Sequence, residues 1–261
     1  MLIDGHIHLE NGELTVDYVM EMVNQAIKKD LDCIQILDHT HRFYEFTPIY
    51  TEVMDAHPLQ REWLSKKPRN HLKEYLELID HVKNLKLPIS VKFGLEVCYS
   101  PENKPILKKL LTNHPFDFLV GSIHSIDGLL YDMPFSKDIL WFKQDSNTIY
   151  KRYYELILDL MESDLFTQVA HPDTIKMFGI YPTYDLTPTY HKVAILAVKK
   201  DLNIENNTGC HYRYGTKDIG LSDEFLQILL KHHTKIIPAS DAHYPKDVGK
   251  YIREVTEKIR L

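Results

Sequence analysis

Short apolar runs with no helical period alternate along this chain with longer stretches in which apolar residues recur every three to four positions. Leu2-Ile3 and Ile7 form the first short run and predict a buried strand. Thr15 can then cap a helix whose Val16, Val19, Met20, Val23 and Ile27 share one face, with Lys28-Lys29 suiting its carbonyl end. Cys33–Leu37 predicts a second strand, and 72–85 a second helix with Leu72, Tyr75, Leu76, Ile79 and Val82 on one face, stopped by Pro88. A third strand follows at 90–97, and Ser100-Pro101-Glu102 opens a third helix. Further strands are predicted at 116–123, 167–170, 202–207 and 235–239. Between them lie a helix through Tyr153, Leu156, Ile157 and Leu160, one opened by Thr187-Pro188 and one capped by Ser222. A last helix closes the chain.

Seven strand–helix units in succession imply a parallel sheet with helices packed outside. No Gly-x-Gly-x-x-Gly follows the first strand, so an open nucleotide-binding sheet is disfavoured against a closed (β/α) barrel, one unit short of the usual eight. Residues 43–68 break the pattern. They show no clear period, carry Phe43, Tyr44, Phe46, Tyr50 and Trp63, and are expected to be a loop insertion, either a functional cover or a packed surface segment. Nothing in the composition marks a second domain, so residues 1–261 are expected to fold as one.

Composition changes this picture in three places. The net charge of -6 argues against nonspecific binding to nucleic acid. The three cysteines, Cys33, Cys98 and Cys210, are far apart and form no Cys-x-x-Cys, which suits a reducing compartment better than a disulfide frame. With no signal peptide ahead of Asp4 and no apolar run near the ~20 residues of a membrane span, a cytoplasmic location away from membranes is expected. The sequence leaves a homodimer open and fixes no oligomeric state.

Histidine is the outlier, at 15 residues. In a strand, His6 and His8 project to the same face, and a divalent metal satisfies two such imidazoles at once. The same residue types recur at later strand ends: His39, Glu96, His124, His171, and Asp241 with His243. In a parallel barrel all of these ends open on one face, so residues distant in sequence converge. Eight His, Asp and Glu side chains exceed the roughly four ligands of one metal and suggest two or three, with a carboxylate such as Glu96 able to bridge a pair. Such ligands accept zinc, iron or manganese. By contrast His57, His71, His81, His114, His191, His232 and His233 fall in helices or outer loops and read as surface or capping residues, while His41 and His211 stay ambiguous.

His6-x-His8, Asp38-His39, Gly94-x-Glu96, Gly121-Ser122-Ile123-His124, Ala170-His171-Pro172-Asp173 and Ser240-Asp241-Ala242-His243, in this order, resemble the PHP (polymerase and histidinol phosphatase) superfamily. The resemblance runs from residue 4 to about residue 249. By length and stand-alone organisation it is most similar to the histidinol-phosphate phosphatases. It implies a distorted TIM-like (β/α)7 barrel and two or three divalent metals. Carried over by position, His6, His8, Glu96 and Asp241 would hold the first metal, Glu96, His124 and His171 the second, and His39 and His243 the third. The chain departs from the family after His8, where a further histidine is common and Glu10 or Glu13 would have to serve, Glu13 being included among the expected ligands. It departs again after strand six, where Arg213 sits further from Gly209 than the family's arginine does.

The implied activity is hydrolysis of a small phosphate monoester, histidinol phosphate above all, by a hydroxide bridging two metals. Arg213 and Arg42 are candidate phosphate contacts, because a guanidinium donates two hydrogen bonds at once. Asp241 and His243 would move the proton that the leaving alkoxide needs. Glu45, Tyr44 and Phe43 are expected to meet the substrate's amine. The rivals are a phosphodiesterase or nucleotide hydrolase and a non-catalytic metal-binding domain. The negative charge and absence of a fused nucleic-acid groove weigh against the first, and the lack of a Cys-rich ligand set against the second.

Overall fold

The computed structural model describes residues 1–112 and 114–260. Its strands are β1 (Ile3–His8), β2 (Cys33–Leu37), β3 (Ser90–Cys98), β4 (Phe118–Ser122), β5 (Ser125–Ile126), β6 (Leu129–Leu130), β7 (Gln168–Val169), β8 (Asn203–Asn207) and β9 (Lys235–Ala239). Seven of them form one parallel sheet in the order β1-β2-β3-β4-β7-β8-β9, while β5 and β6 make a small antiparallel hairpin. Just past β9, Ala242 bridges Ile7 of β1, with His8 N–H donating to the Ala242 carbonyl at 2.8 Å. The sheet is thereby a nearly closed barrel of seven strands wrapped by helices. These are the seven strands the apolar runs predict.

The first helix, Val16–Lys28, is capped as expected, Thr15 Oγ1 accepting from Tyr18 N–H at 3.3 Å. Its buried face is Val19, Met22, Val23 and Ala26, whereas Ile27 is exposed. The face is thus rotated relative to the one read from spacing alone. The carboxylate of Asp4 fastens the barrel's seam. It is fully buried and accepts from the Ser240 N–H at 2.8 Å, the Ser240 hydroxyl at 2.5 Å and the Gly249 N–H at 2.7 Å.

The expected loop at 43–68 is helical instead. A 3-10 turn over Tyr44–Tyr50 leads into short helices at Thr51–Ala56 and Pro58–Ser65. Each runs for little more than two turns at most, too short for a period to show in sequence. Pro58 starts the last of them after His57, whose ring accepts from Leu59 N–H at 3.2 Å. The fully buried Gln60 seats this cap on the β5–β6 hairpin, donating to Gly128 O at 2.9 Å and accepting from Leu130 N–H at 2.7 Å.

Candidate metal centre

At the C-terminal end of the barrel, His6 and His8 bring their Nε2 atoms to 2.8 Å, with both rings fully buried. A register shift between Asp4 and Ile7 lies beneath them. Glu205, in the middle of β8, takes the other nitrogen of His6 at 2.7 Å and also accepts from His171 N–H and from Gln168. Asp241 follows β9 with a left-handed backbone, φ 56°, which few non-glycine residues adopt. Its Oδ1 stands 3.3 Å from His8 Nε2 and 3.8 Å from His6 Nε2, while Oδ2 receives Arg213 at 2.7 Å. Arg213 can fold back this closely because residue 209 is glycine: a Cβ there would lie 2.6 Å from the guanidinium and 2.9 Å from Asp241.

Glu96, from β3, joins the two sides of the cluster. Oε1 lies 2.9 Å from His124 Nε2 and 3.0 Å from His171 Nε2, while Oε2 lies 2.8 Å from His39 Nδ1 and 3.5 Å from both His6 and His8. Burial raises its pKa, yet His39, His124 and His6 together hold it well below the carboxylate range. Asp241 is likewise held down against burial by Arg213 and His6. Burial also opposes charge on His124, but Glu96 and Asp132 outweigh it and raise that pKa well above the ordinary value. His243 goes the other way, lowered by burial and by His8.

Donor atoms converge in three overlapping groups among the described residues: His6, His8 and Asp241; His39, Glu96 and His124; and His8, Glu10, His39 and His243. Within each group all donor atoms lie within 4.8 Å of one another. Glu96 Oε2 has no hydrogen bond although His39 is 2.8 Å away, and the buried Nδ1 atoms of His8 and His171 have none either. Buried polar atoms are rarely left unpaired. Imidazole nitrogens face each other and a carboxylate shows each oxygen to a separate set of rings. This donor set fits divalent metal ions of the zinc, iron or manganese kind.

All eight strand-end residues named from the sequence thus meet in one place. Three other expectations need correction. Arg42 is buried and spends its donors on Asp38 at 2.7 Å, the carbonyls of Leu9 and Gly12 at 2.8 Å and Asn70 at 3.0 Å, so it braces the Leu9–Gly12 loop instead of reaching a substrate. Glu13 is exposed, and Glu10 is the carboxylate that enters the cluster, 3.5 Å from His39 and 3.4 Å from His243. Glu45 is turned away as well, accepting from Leu72 N–H at the start of the helix Leu72–Lys83; Phe43 is core, and Tyr44 packs on His71.

The centre opens into a cavity of about 400 Å³ whose wall includes Tyr50, Trp63, Lys67, Asp132, Met177 and Arg213. Sequence reasoning gave no role to Asp132, which holds His124 Nδ1 at 2.6 Å, or to Lys67. It also passed over Glu205, where a signal existed: a lone carboxylate inside a buried strand needs a partner. His41, left ambiguous, lines the cavity beside His39, whereas His211 bonds the Thr216 carbonyl. His57 and His71 cap helices, and His191 pairs with His232.

Comparison with known proteins gives a consistent picture. Residues 4–209 match the PHP domain family. A protein of Deinococcus radiodurans named probable histidinol-phosphatase is 25% identical over 213 residues, covering 79% of each chain. One of the same name from Schizosaccharomyces pombe is 25% identical over 268 residues, 95% of this chain and 83% of that one. In fold, the chain is similar to the crystal structure of histidinol phosphate phosphatase from Lactococcus lactis, complexed with zinc, L-histidinol and phosphate. The TM-score is 0.70 at 18% identity, over 99% of this chain and 92% of the other.

Proposed function

This chain belongs to the PHP domain family, and on that premise we propose that it is a metal-dependent phosphatase of small phosphate monoesters, with L-histidinol phosphate as its substrate. The observation that carries this reading is Glu96, one buried carboxylate divided between two sets of imidazoles, of which His39, His124 and His171 line a cavity that has Arg213 in its wall. The names of the two relatives and the zinc, L-histidinol and phosphate in the Lactococcus lactis structure point the same way. Two or three metals would be held by His6, His8 and Asp241, by Glu96 with His124 and His171, and by His39 and His243 with Glu10. Bound there, metals would supply hydroxide near neutral pH and offset phosphate charge.

The chain's own residues do the rest. Arg213 already directs NH1 and NH2 along the rim of the centre, to the Asp241 carbonyl and carboxylate, and its fork suits a phosphate arriving beside them. Asp241 is held ionised by Arg213 and His6, so its carboxylate stands ready to take the proton of the attacking water and pass it to the leaving alkoxide; His243, kept neutral by burial, can share that part only if it does not hold a metal. Asp132, in the cavity wall, is the carboxylate available for a cationic amine, and Tyr50 and Trp63 offer aromatic surface for an imidazole. The test is turnover of histidinol phosphate against a phosphomonoester lacking amine and imidazole. A strong preference for the former is expected. Equal efficiency would make the chain a general phosphatase, and no turnover of either by metal-loaded protein would end the reading.

A further inference from the structure

The cavity wall carries carboxylates although the site must admit a phosphate dianion. Glu10, Asp132 and Asp241 all line it. Glu10 in particular is nearly buried, with Lys67, His39 and His41 grouped around its carboxylate. An unscreened carboxylate at the mouth would repel the substrate. Arg213 answers for one side of the centre, being committed to Asp241.

Lys67 stands at the other carboxylate. It follows the cap helix Pro58–Ser65 and places Nζ 2.5 Å from Glu10 Oε1, while Glu10 Oε2 is the oxygen near His39 and His243. The Trp63 ring lies 4.6 Å from the ammonium and fixes the side chain by a cation–π contact. An ammonium has three donors, and among the described residues Glu10 is the hydrogen-bond acceptor that Lys67 meets. The side chain is 22% exposed and borders the cavity, so donors are left over on the side from which substrate arrives.

We propose that Lys67 is a phosphate-contacting residue that the helical cap delivers to the metal centre, working with Arg213. The inference rests on the reading of the chain as a phosphatase. It gives the 43–68 cap a part in the chemistry: it brings a cation to a wall on which, among the described residues, Arg213 is the other permanent cation.

The test uses the full-length, metal-loaded protein and three variants, Lys67→Met, Lys67→Gln and Lys67→Arg. Calorimetric titration with inorganic phosphate is read beside metal content and the kcat and KM for histidinol phosphate. Lys67→Met and Lys67→Gln should weaken phosphate binding and raise KM by about tenfold or more at unchanged metal content, as for a lost charged hydrogen bond. Lys67→Arg should recover most of it. Lys67→Gln matters most, because its amide can still donate to Glu10 without offering charge. Wild-type phosphate affinity in Lys67→Gln, or a loss in Lys67→Met that only tracks lost metal, would reduce Lys67 to a brace for Glu10. Absent turnover by the wild type would sink the phosphatase reading alone, because the phosphate titration still decides on Lys67.

Discussion

Two pairs of imidazoles in this protein stand nitrogen to nitrogen at 2.8 Å, and they do different things. His6 and His8 meet at the open end of the barrel, and His191 and His232 meet between outer helices. The first pair is fully buried and has Glu96, Asp241 and Glu205 within 3.8 Å. The second is half-buried, and among the described residues no carboxylate oxygen lies within ion-pair distance of it. One ring donating to the other is enough to satisfy the outer pair. Imidazoles close together therefore do not make a metal centre. Converging carboxylates, burial and nitrogens with no other partner do.

The sharpest way to break this contrast is to make the inner pair resemble the outer one. Glu96→Gln removes the negative charge between the two ligand sets, so the protein should lose bound metal together with nearly all activity while keeping its CD spectrum. Metal content equal to wild type, measured by elemental analysis, would reassign Glu96 to a purely structural role.

The two arginines once expected to share one role extend the comparison. Arg42→Ala leaves Asp38 buried without its partner and should cost about 3–5 kcal/mol of stability. Arg213→Ala should instead cost about 2–4 kcal/mol in kcat/KM, with a smaller loss of stability than Arg42→Ala, because Arg213 is partly exposed and Asp241 keeps His6 and His8 beside it. Chemical denaturation and steady-state kinetics on both variants decide this. Matching profiles would erase the distinction between brace and clamp.

A smaller effect tests the electrostatics of the open end. Burial, reinforced by His39 and countered only in part by Glu10, lowers the pKa of His41 to about 4. Unfolded, it would take up a proton near 6.5, so the unfolded chain binds more protons between these values and stability falls as pH drops from about 6.5 to 4. The contribution is up to about 3 kcal/mol. Urea melts of metal-free protein should show this slope, and His41→Gln should flatten it. The burial that lowers His39 and His243 adds a slope of the same sign, which the variant leaves in place.

The least disruptive change is to the outer pair. His232→Gln should leave metal content and turnover as in wild type and cost about 0.5–1.5 kcal/mol for one hydrogen bond. A change in metal stoichiometry there would mean that proximity alone had been underrated.

The barrel and the core of its site were both legible from the chain alone. Runs such as Cys33–Leu37 ending in Asp38-His39 set strand, direction and ligand together, because in a parallel barrel every strand end opens on the same face. What the sequence hid about the charged groups has a common cause. Arg42 and Arg213 are the same residue type beside similar motifs, and only their acceptors separate them. Glu10 and Glu13 differ by one turn of a loop, and Lys67, 57 residues away, reaches the first of them. Glu205 finds His6 across 199 residues.

Sequence by itself determined the seven barrel strands, their order and the eight side chains at the open end, since periodicity and strand direction are local properties that parallel topology carries into three dimensions. Tertiary structure decided which charged groups face the cavity and which are spent on the scaffold. That choice rests on hydrogen-bond partners far away along the chain, and no local pattern encodes where those partners come to lie.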